Sequence, residues 1–207
     1  MGTAGRRREE ENAVGLADAL LSKTQQRVLG LLFGNPERSF YSSEIIARAR
    51  GGTGTVLREL ARLEASGLVN VRRIGNQKHY QANSVSPLFE ELRSIIEKTV
   101  GLADPLRRAL APVTSKIAAA FVYGSVAQKK DTAHSDIDLM IISDQLTYAD
   151  VYSALESASA ALRRQVNPTI YTRREFKKRL KGRNAFLTKV LDLPKLWIIG
   201  SDHDLAA

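Results

Sequence analysis

Tyr123-Gly124-Ser125, nine intervening residues, then Ser135-Asp136-Ile137-Asp138-Leu139 is the stretch that decides the reading of this chain. An apolar run, Ile117 to Val122, leads into the glycine, and a second, Leu139 to Ile142, follows the acids. The pattern reads as a strand, a tight glycine turn, a short connection and a strand that opens with two carboxylates. Residues i and i+2 of a strand share a face, so Asp136 and Asp138 point the same way, with α-carbons roughly 6.5 Å apart. Two adjacent carboxylates repel unless one is protonated or a cation sits between them. Oxygen ligands suit Mg²⁺, which usually takes one or two carboxylates plus substrate phosphates. A Gly-Ser turn offers backbone N–H groups and a hydroxyl to a phosphate. These parts fit metal-assisted phosphoryl or nucleotidyl transfer. A calcium loop of the EF-hand type also begins Asp-x-Asp, but it needs Gly at position 6 and Glu at position 12. Ile141 and Thr147 stand there instead.

The turn, the spacing, the double acid and the flanking strands together resemble the DNA polymerase β-like nucleotidyltransferases, especially their minimal domains. The resemblance covers roughly residues 113 to 200. It implies that Gly124 and Ser125 bind a nucleoside triphosphate and that Asp136 and Asp138 hold Mg²⁺ and are the catalytic acids. Lys129 and Lys130 add charge near the phosphates. Many relatives carry a second glycine shortly after Gly-Ser, where this chain has Lys129. The family's third carboxylate belongs on a later strand, here Val166 to Thr172, and Asn167 takes its place. Asn can ligate a metal through its carbonyl, but it cannot accept a proton as a carboxylate does.

The first half is expected to be a second module. Residues 16 to 33 show helical periodicity with Ser22 or Thr24 as a cap, and Gly34-Asn35-Pro36 ends the helix. A short helix follows at about 42 to 49, then a Gly51-Gly52 turn, then a helix from about 53 to 66 closed by Gly67. From Leu68 the period becomes two, with a turn at Gly75-Asn76, which predicts a hairpin. Three helices and a hairpin resemble a winged helix-turn-helix over residues 16 to 83. In that fold the third helix enters the major groove by its N-terminal end. Thr53, Thr55, Arg58 and Arg62 are the candidates there, and Arg72, Arg73, Asn76, Gln77 and Lys78 are the candidates on the wing. The resemblance also implies a homodimer.

Composition agrees with anionic partners. Lys and Arg number 31 against 22 Asp and Glu, a formal net charge of +9. A basic balance of this size favours nucleic acid and nucleotide phosphates. Cysteine is absent, which excludes disulfides and Cys-based zinc sites and suits a reducing cytoplasm. No apolar run approaches a membrane span. Arg6-Arg7-Arg8 precedes Glu9-Glu10-Glu11 with no apolar core, so the N-terminus is not a secretory signal. Residues 163 to 183 are the most basic segment, a surface for an anionic partner or a solvated helix face.

The fold class expected is α+β: an N-terminal winged helix-turn-helix, a connecting helix and a C-terminal nucleotidyltransferase-like mixed β-sheet with flanking helices. The division expected is a disordered tail at 1–15, the DNA-binding domain at 16–83, a helical connector at 84–112, the nucleotidyltransferase domain at 113–200 and a tail at 201–207. The function expected is a DNA-binding transcriptional regulator whose NTP/Mg²⁺ site transfers a nucleoside monophosphate to a hydroxyl. The alternatives are a non-catalytic nucleotide-sensing repressor and an antitoxin-like protein acting on a partner protein.

Overall fold

The computed structural model describes residues 14–206. Contacts divide the chain into two units, Ala17–Leu102 and the remainder from Ala103 onward together with the segment ending at Leu16. Arg6-Arg7-Arg8 and Glu9-Glu10-Glu11 lie outside the described residues.

The first unit opens with α1 (Leu16–Leu20), whose first residue is grouped with the second unit, and α2 (Lys23–Phe33). One helix was expected across this stretch. It breaks at Ser22, whose side chain accepts from the Gln25 N–H while the Gln25 side chain accepts from the Ser22 N–H. This reciprocal box satisfies the orphan donors of a new helix start. Then follow β1 (Phe40–Tyr41), α3 (Ser42–Ala49), α4 (Thr53–Ala65), β2 (Val69–Ile74), β3 (Gln77–Ala82) and α5 (Phe89–Thr99). The sheet order is β1-β3-β2, antiparallel throughout. The two-residue strand β1 is too short to leave a periodicity in the sequence. Val28, Leu32, Phe33, Ile45, Val56, Leu60 and Leu63 form a fully covered core, closed by Tyr80 and Ala82 of the hairpin. The connecting helix α5 joins this core through Phe89 and Ile96, with the Phe89 ring 6.0 Å from that of Phe33.

The second unit runs α6 (Ala103–Leu110), a 3₁₀ turn at Ala111–Lys116, β4 (Ala119–Tyr123), α7 (Gly124–Ala127), β5 (Ile137–Ile142), α8 (Tyr148–Leu162), β6 (Val166–Tyr171), α9 (Arg173–Lys181), α10 (Ala185–Asp192), β7 (Leu196–Ile199) and α11 (Asp202–Ala206). The sheet order is β6-β5-β4-β7; β5 and β6 are parallel, and β4 is antiparallel to both its neighbours. Helix α8 makes the βαβ crossover that a parallel pair requires. Alternation sorts the strands cleanly. Phe121, Met140 and Ile142 face a cluster made by Phe176 of α9 and by Leu187 and Val190 of α10. Val122, Leu139 and Ile141 face the other way and are fully buried. Helix α6 packs on β7, α8 on β6, and the two helices on each other.

Two expected tails carry structure at their inner ends. Gly15 is buried, and Leu16 N–H donates to the Asp131 carbonyl at 3.2 Å. A Cβ on Gly15 would lie 2.3 Å from the Lys129 carbonyl oxygen, so close backbone approach holds this segment. Residues 201–207, expected as a tail, include α11, begun by Ser201 against the Asp204 carboxylate.

Candidate nucleotide and metal site

Three adjacent strands place the site in one row. Tyr123 of β4 pairs with Asp138 of β5, and Asp138 pairs with Asn167 of β6. Directly paired residues share a face, so the three side chains stand on the α9/α10 side of the sheet. Asp136 sits one residue before β5 and reaches the same place: the Asn167 amide nitrogen donates to its Oδ2 at 3.1 Å. Asn167 therefore lies against both acids, which is where a third carboxylate was expected.

Gly124 is required here twice over. Its φ is +75°, the left-handed region that costs other residues strain. A Cβ at this position would lie 2.7 Å from Asp138 Oδ2. The backbone at the turn thus approaches the carboxylate as closely as only glycine permits. Ser125 follows in the short α7, partly covered. Lys129 ends the turn at φ +59°, exposed, and among the described residues it forms no ion pair with either aspartate. Of the five predicted residues, the structure brings Gly124, Asp136 and Asp138 together. Ser125 is adjacent by chain, and Lys129 is held through its backbone.

The connection into the acids is anchored by Arg164. Its Nη1 bonds Asp131 Oδ2 at 2.9 Å and its Nε bonds the Ser135 carbonyl at 2.7 Å. Both side chains of the ion pair are about nine-tenths buried, at 7% and 10% exposure, so this pair differs in kind from the exposed bases around it. Arg164 Nη2 is buried without a hydrogen-bond partner. The sequence showed Arg164 only as one member of a basic run. Its position just before β6, beside the start of β5, separates it from the others. The rest of that run is exposed; Arg179 stacks over the Tyr171 ring at 5.0 Å and Arg173 lies 3.8 Å from Asp144.

Tyr123 was quoted with the deciding stretch but was given no role from sequence. Its hydroxyl meets Thr169 Oγ1 at 3.1 Å, so the side chain reaches from β4 across β5 to β6. Its place at the end of an apolar strand, immediately before the glycine, was the available signal. Asp150, a carboxylate downstream of the pair, caps α8 through Thr147 and takes no part.

The electrostatics follow from burial. Asp138 is half-buried, and its carboxyl is pushed above the usual carboxylate range by burial first and by the Asp136 charge second. The Tyr123 hydroxyl is pushed up by burial; its bond to Thr169 opposes this, and the Asp138 charge adds to it. Among the described residues no group of three or more His, Cys, Asp and Glu side chains converges. The donor set is two carboxylates and an amide, all able to present oxygen, and it suits a hard cation that completes its shell with substrate phosphates.

In the first unit the candidates spread over α4 and the hairpin. Thr53, Thr55, Arg58, Arg72, Arg73, Asn76 and Gln77 are exposed. Arg58 folds back on the Gly54 carbonyl at 3.2 Å. Arg62 forks onto Glu59 at 2.6 and 3.2 Å, and Lys78 pairs with Glu64 at 3.2 Å. Arg73 stands directly opposite Lys78 across the hairpin.

One family model covers the strands that carry the acids. Residues 108–182 match the family model described as polymerase beta, nucleotidyltransferase, and that segment holds Gly124, Asp136, Asp138 and Asn167. No curated protein matches the chain. Among solved structures it is similar to a toxin–antitoxin complex with AMP-PNP, at 16% identity over 50% of this chain and 77% of that one, with a TM-score of 0.38. A mutant of the toxin–antitoxin pair MntA–HpeT shows 14% identity, the same coverage and the same TM-score. No helix among the described residues is long and apolar enough to cross a membrane.

The sign of the Asp138 shift gives a stability prediction. A raised carboxyl pKa means that the folded chain holds this proton more tightly than the unfolded chain. The stability it contributes is present below the ordinary value of about 4 and is lost as pH rises through the raised value. Asp138→Asn keeps the shape and removes the charge. In EDTA its Tm at pH 7 should exceed that of the wild type, with the difference shrinking as pH falls toward about 4. A lower Tm for the variant at pH 7 would contradict the assignment.

Proposed function

We propose that the second unit binds a nucleoside triphosphate with Mg²⁺ and transfers its nucleoside monophosphate to a hydroxyl acceptor, breaking the α–β phosphoanhydride bond and releasing pyrophosphate. The observation that carries this reading is the convergence of Gly124, Asp136 and Asp138 at one end of the sheet. Asp136 and Asp138 hold Mg²⁺, which when bound neutralises phosphate charge and aligns the reacting phosphate. Gly124 lets the turn backbone approach the phosphates, and the Ser125 hydroxyl offers them a hydrogen bond. Asn167 orients Asp136 and cannot take the acceptor's proton. Transfer is therefore slow unless the acceptor brings its own base. Lys129 remains a candidate for the triphosphate through its flexible side chain.

The first unit, in this reading, is a winged helix-turn-helix that binds DNA and makes the protein a cytoplasmic transcriptional regulator. Its support is that the N-terminal turn of α4 and the basic residues Arg72 and Arg73 of the hairpin are both exposed. Arg62 and Lys78 already hold acids, so Thr53, Thr55, Arg58, Arg72, Arg73 and Asn76 carry more of the contact. A homodimer is part of the proposal; Leu88 and Ile95 are exposed beside and on α5. One observation favours a second reading, nucleotide sensing without turnover: the Asn167 amide donates to Asp136 in place of a third acid.

Incubation with α-phosphate-labelled NTPs, Mg²⁺ and cell extract separates the two readings. Transfer should be lost in Asp136→Asn and Asp138→Asn and should rise on the order of 10²-fold in Asn167→Asp, the usual worth of a placed base. NTP binding with no transfer in the wild type or in Asn167→Asp would sink the enzyme and leave the sensor. DNA binding is checked by salt titration. Three phosphate contacts predict roughly fortyfold weaker binding between 50 and 200 mM salt, with a shallower slope for Arg58→Ala plus Arg72→Ala. An unchanged slope in that variant would remove the interface from the proposal.

A further inference from the structure

Beside the acids stands an aromatic corner that the metal and phosphate roles leave unused. Tyr123 lies across β5, anchored to Thr169, between Asp138 and the apolar cluster beyond it. Phe186 packs against Tyr123 with ring centroids 5.7 Å apart and planes at 77°, close to edge-on. Phe186 is the second residue of α10, whose start is fixed by the Asn184 side chain accepting from the Leu187 N–H at 3.1 Å. Leu187 and Val190 turn inward and are buried, whereas Phe186 remains 42% exposed. The core is therefore complete without it. An aromatic ring seated on Tyr123, the strand neighbour of Asp138, with much of its surface in water, is placed to stack a flat ligand.

The neighbours favour a nucleobase as that ligand. Tyr123 is directly paired with Asp138, and paired α-carbons on adjacent strands lie about 4.5–5.5 Å apart. Phe186 is thus one aromatic ring beyond the carboxylate that would face the metal-bound phosphates. Stacking on an aromatic side chain tolerates any base, since every base has a π-face.

We infer that Phe186, braced edge-on by Tyr123, is the platform on which the base of the bound nucleotide stacks. This rests on the proposed nucleotide site and assigns it a base subsite. The phosphates are held by the turn and the acids, and the base is held by the ring. Tyr123 is a positioning residue: its hydroxyl is tied to Thr169, which fixes the ring that supports Phe186.

Calorimetric titration with Mg²⁺ and two kinds of probe tests the assignment: inorganic tripolyphosphate, which has no base, and ATP, GTP, CTP and UTP. Phe186→Ala and Phe186→Leu should weaken the best-binding NTP about tenfold, within the range of one lost base stack. Tripolyphosphate affinity should stay within about twofold, and Phe186→Trp should retain NTP affinity. Phe186→Leu keeps apolar volume on α10, so a loss shared by both Phe186→Ala and Phe186→Leu reports the ring. Unchanged NTP affinity, or equal losses for NTP and tripolyphosphate, would overturn the platform while leaving the phosphate site intact. A wild-type chain that binds neither probe would overturn the nucleotide site itself and the platform with it.

Discussion

The Asp138 carboxylate occupies space that a side chain at position 124 would need. One oxygen lies 2.7 Å from the point where a Cβ would stand, and the backbone there is already in the left-handed region. The turn, the register of β4 on β5 and the place of the acid pair are thus coupled. Because Tyr123 pairs with Asp138 and Asp138 with Asn167, a slip of one residue would turn these side chains to the opposite face. The buried Arg164–Asp131 pair holds the remaining variable, the connection that delivers Asp136. Removing one member of such a pair leaves a buried charge uncompensated, at a cost of about 3–5 kcal/mol.

Much of this was legible in the sequence because the deciding signals are local. A period of two, a glycine and a double acid specify strand, turn and strand without reference to the rest of the chain. Helix α8 starts on a local signal, the reciprocal box between Thr147 and Asp150. The placing of Asn167 followed from counting along a later strand, and the observed register puts it opposite Asp138. What was not legible depends on long-range contact. Nothing near Arg164 distinguishes it from Arg163; its burial comes from Asp131 and Ser135, about thirty residues earlier in the chain. Tyr123 and Phe186 meet only because α10 folds back over the sheet. Strand β1 is two residues long and exists through its pairing with β3.

The two units differ in how far chemistry can be read from them. The second unit concentrates its polar function in one row of paired strand residues, and that row limits which ligands fit. The first unit spreads its candidates over an exposed helix start and a hairpin, where Arg62 and Lys78 already have acidic partners. A phosphate backbone would have to compete with those pairs, whose worth at an exposed surface is about 0–1 kcal/mol each. Such competition is mild, and it makes salt dependence a more direct reporter than any single substitution.

As proposed, Asp136 and Asp138 together make a divalent-cation site that nucleotide phosphates complete. Electron paramagnetic resonance of Mn²⁺, titrated into the chain with and without ATP, measures this directly. Mn²⁺ should bind weakly alone and tightly with ATP present, and the ATP-dependent signal should be lost in both Asp136→Asn and Asp138→Asn. Mn²⁺–ATP binding that persists unchanged in those variants would contradict it.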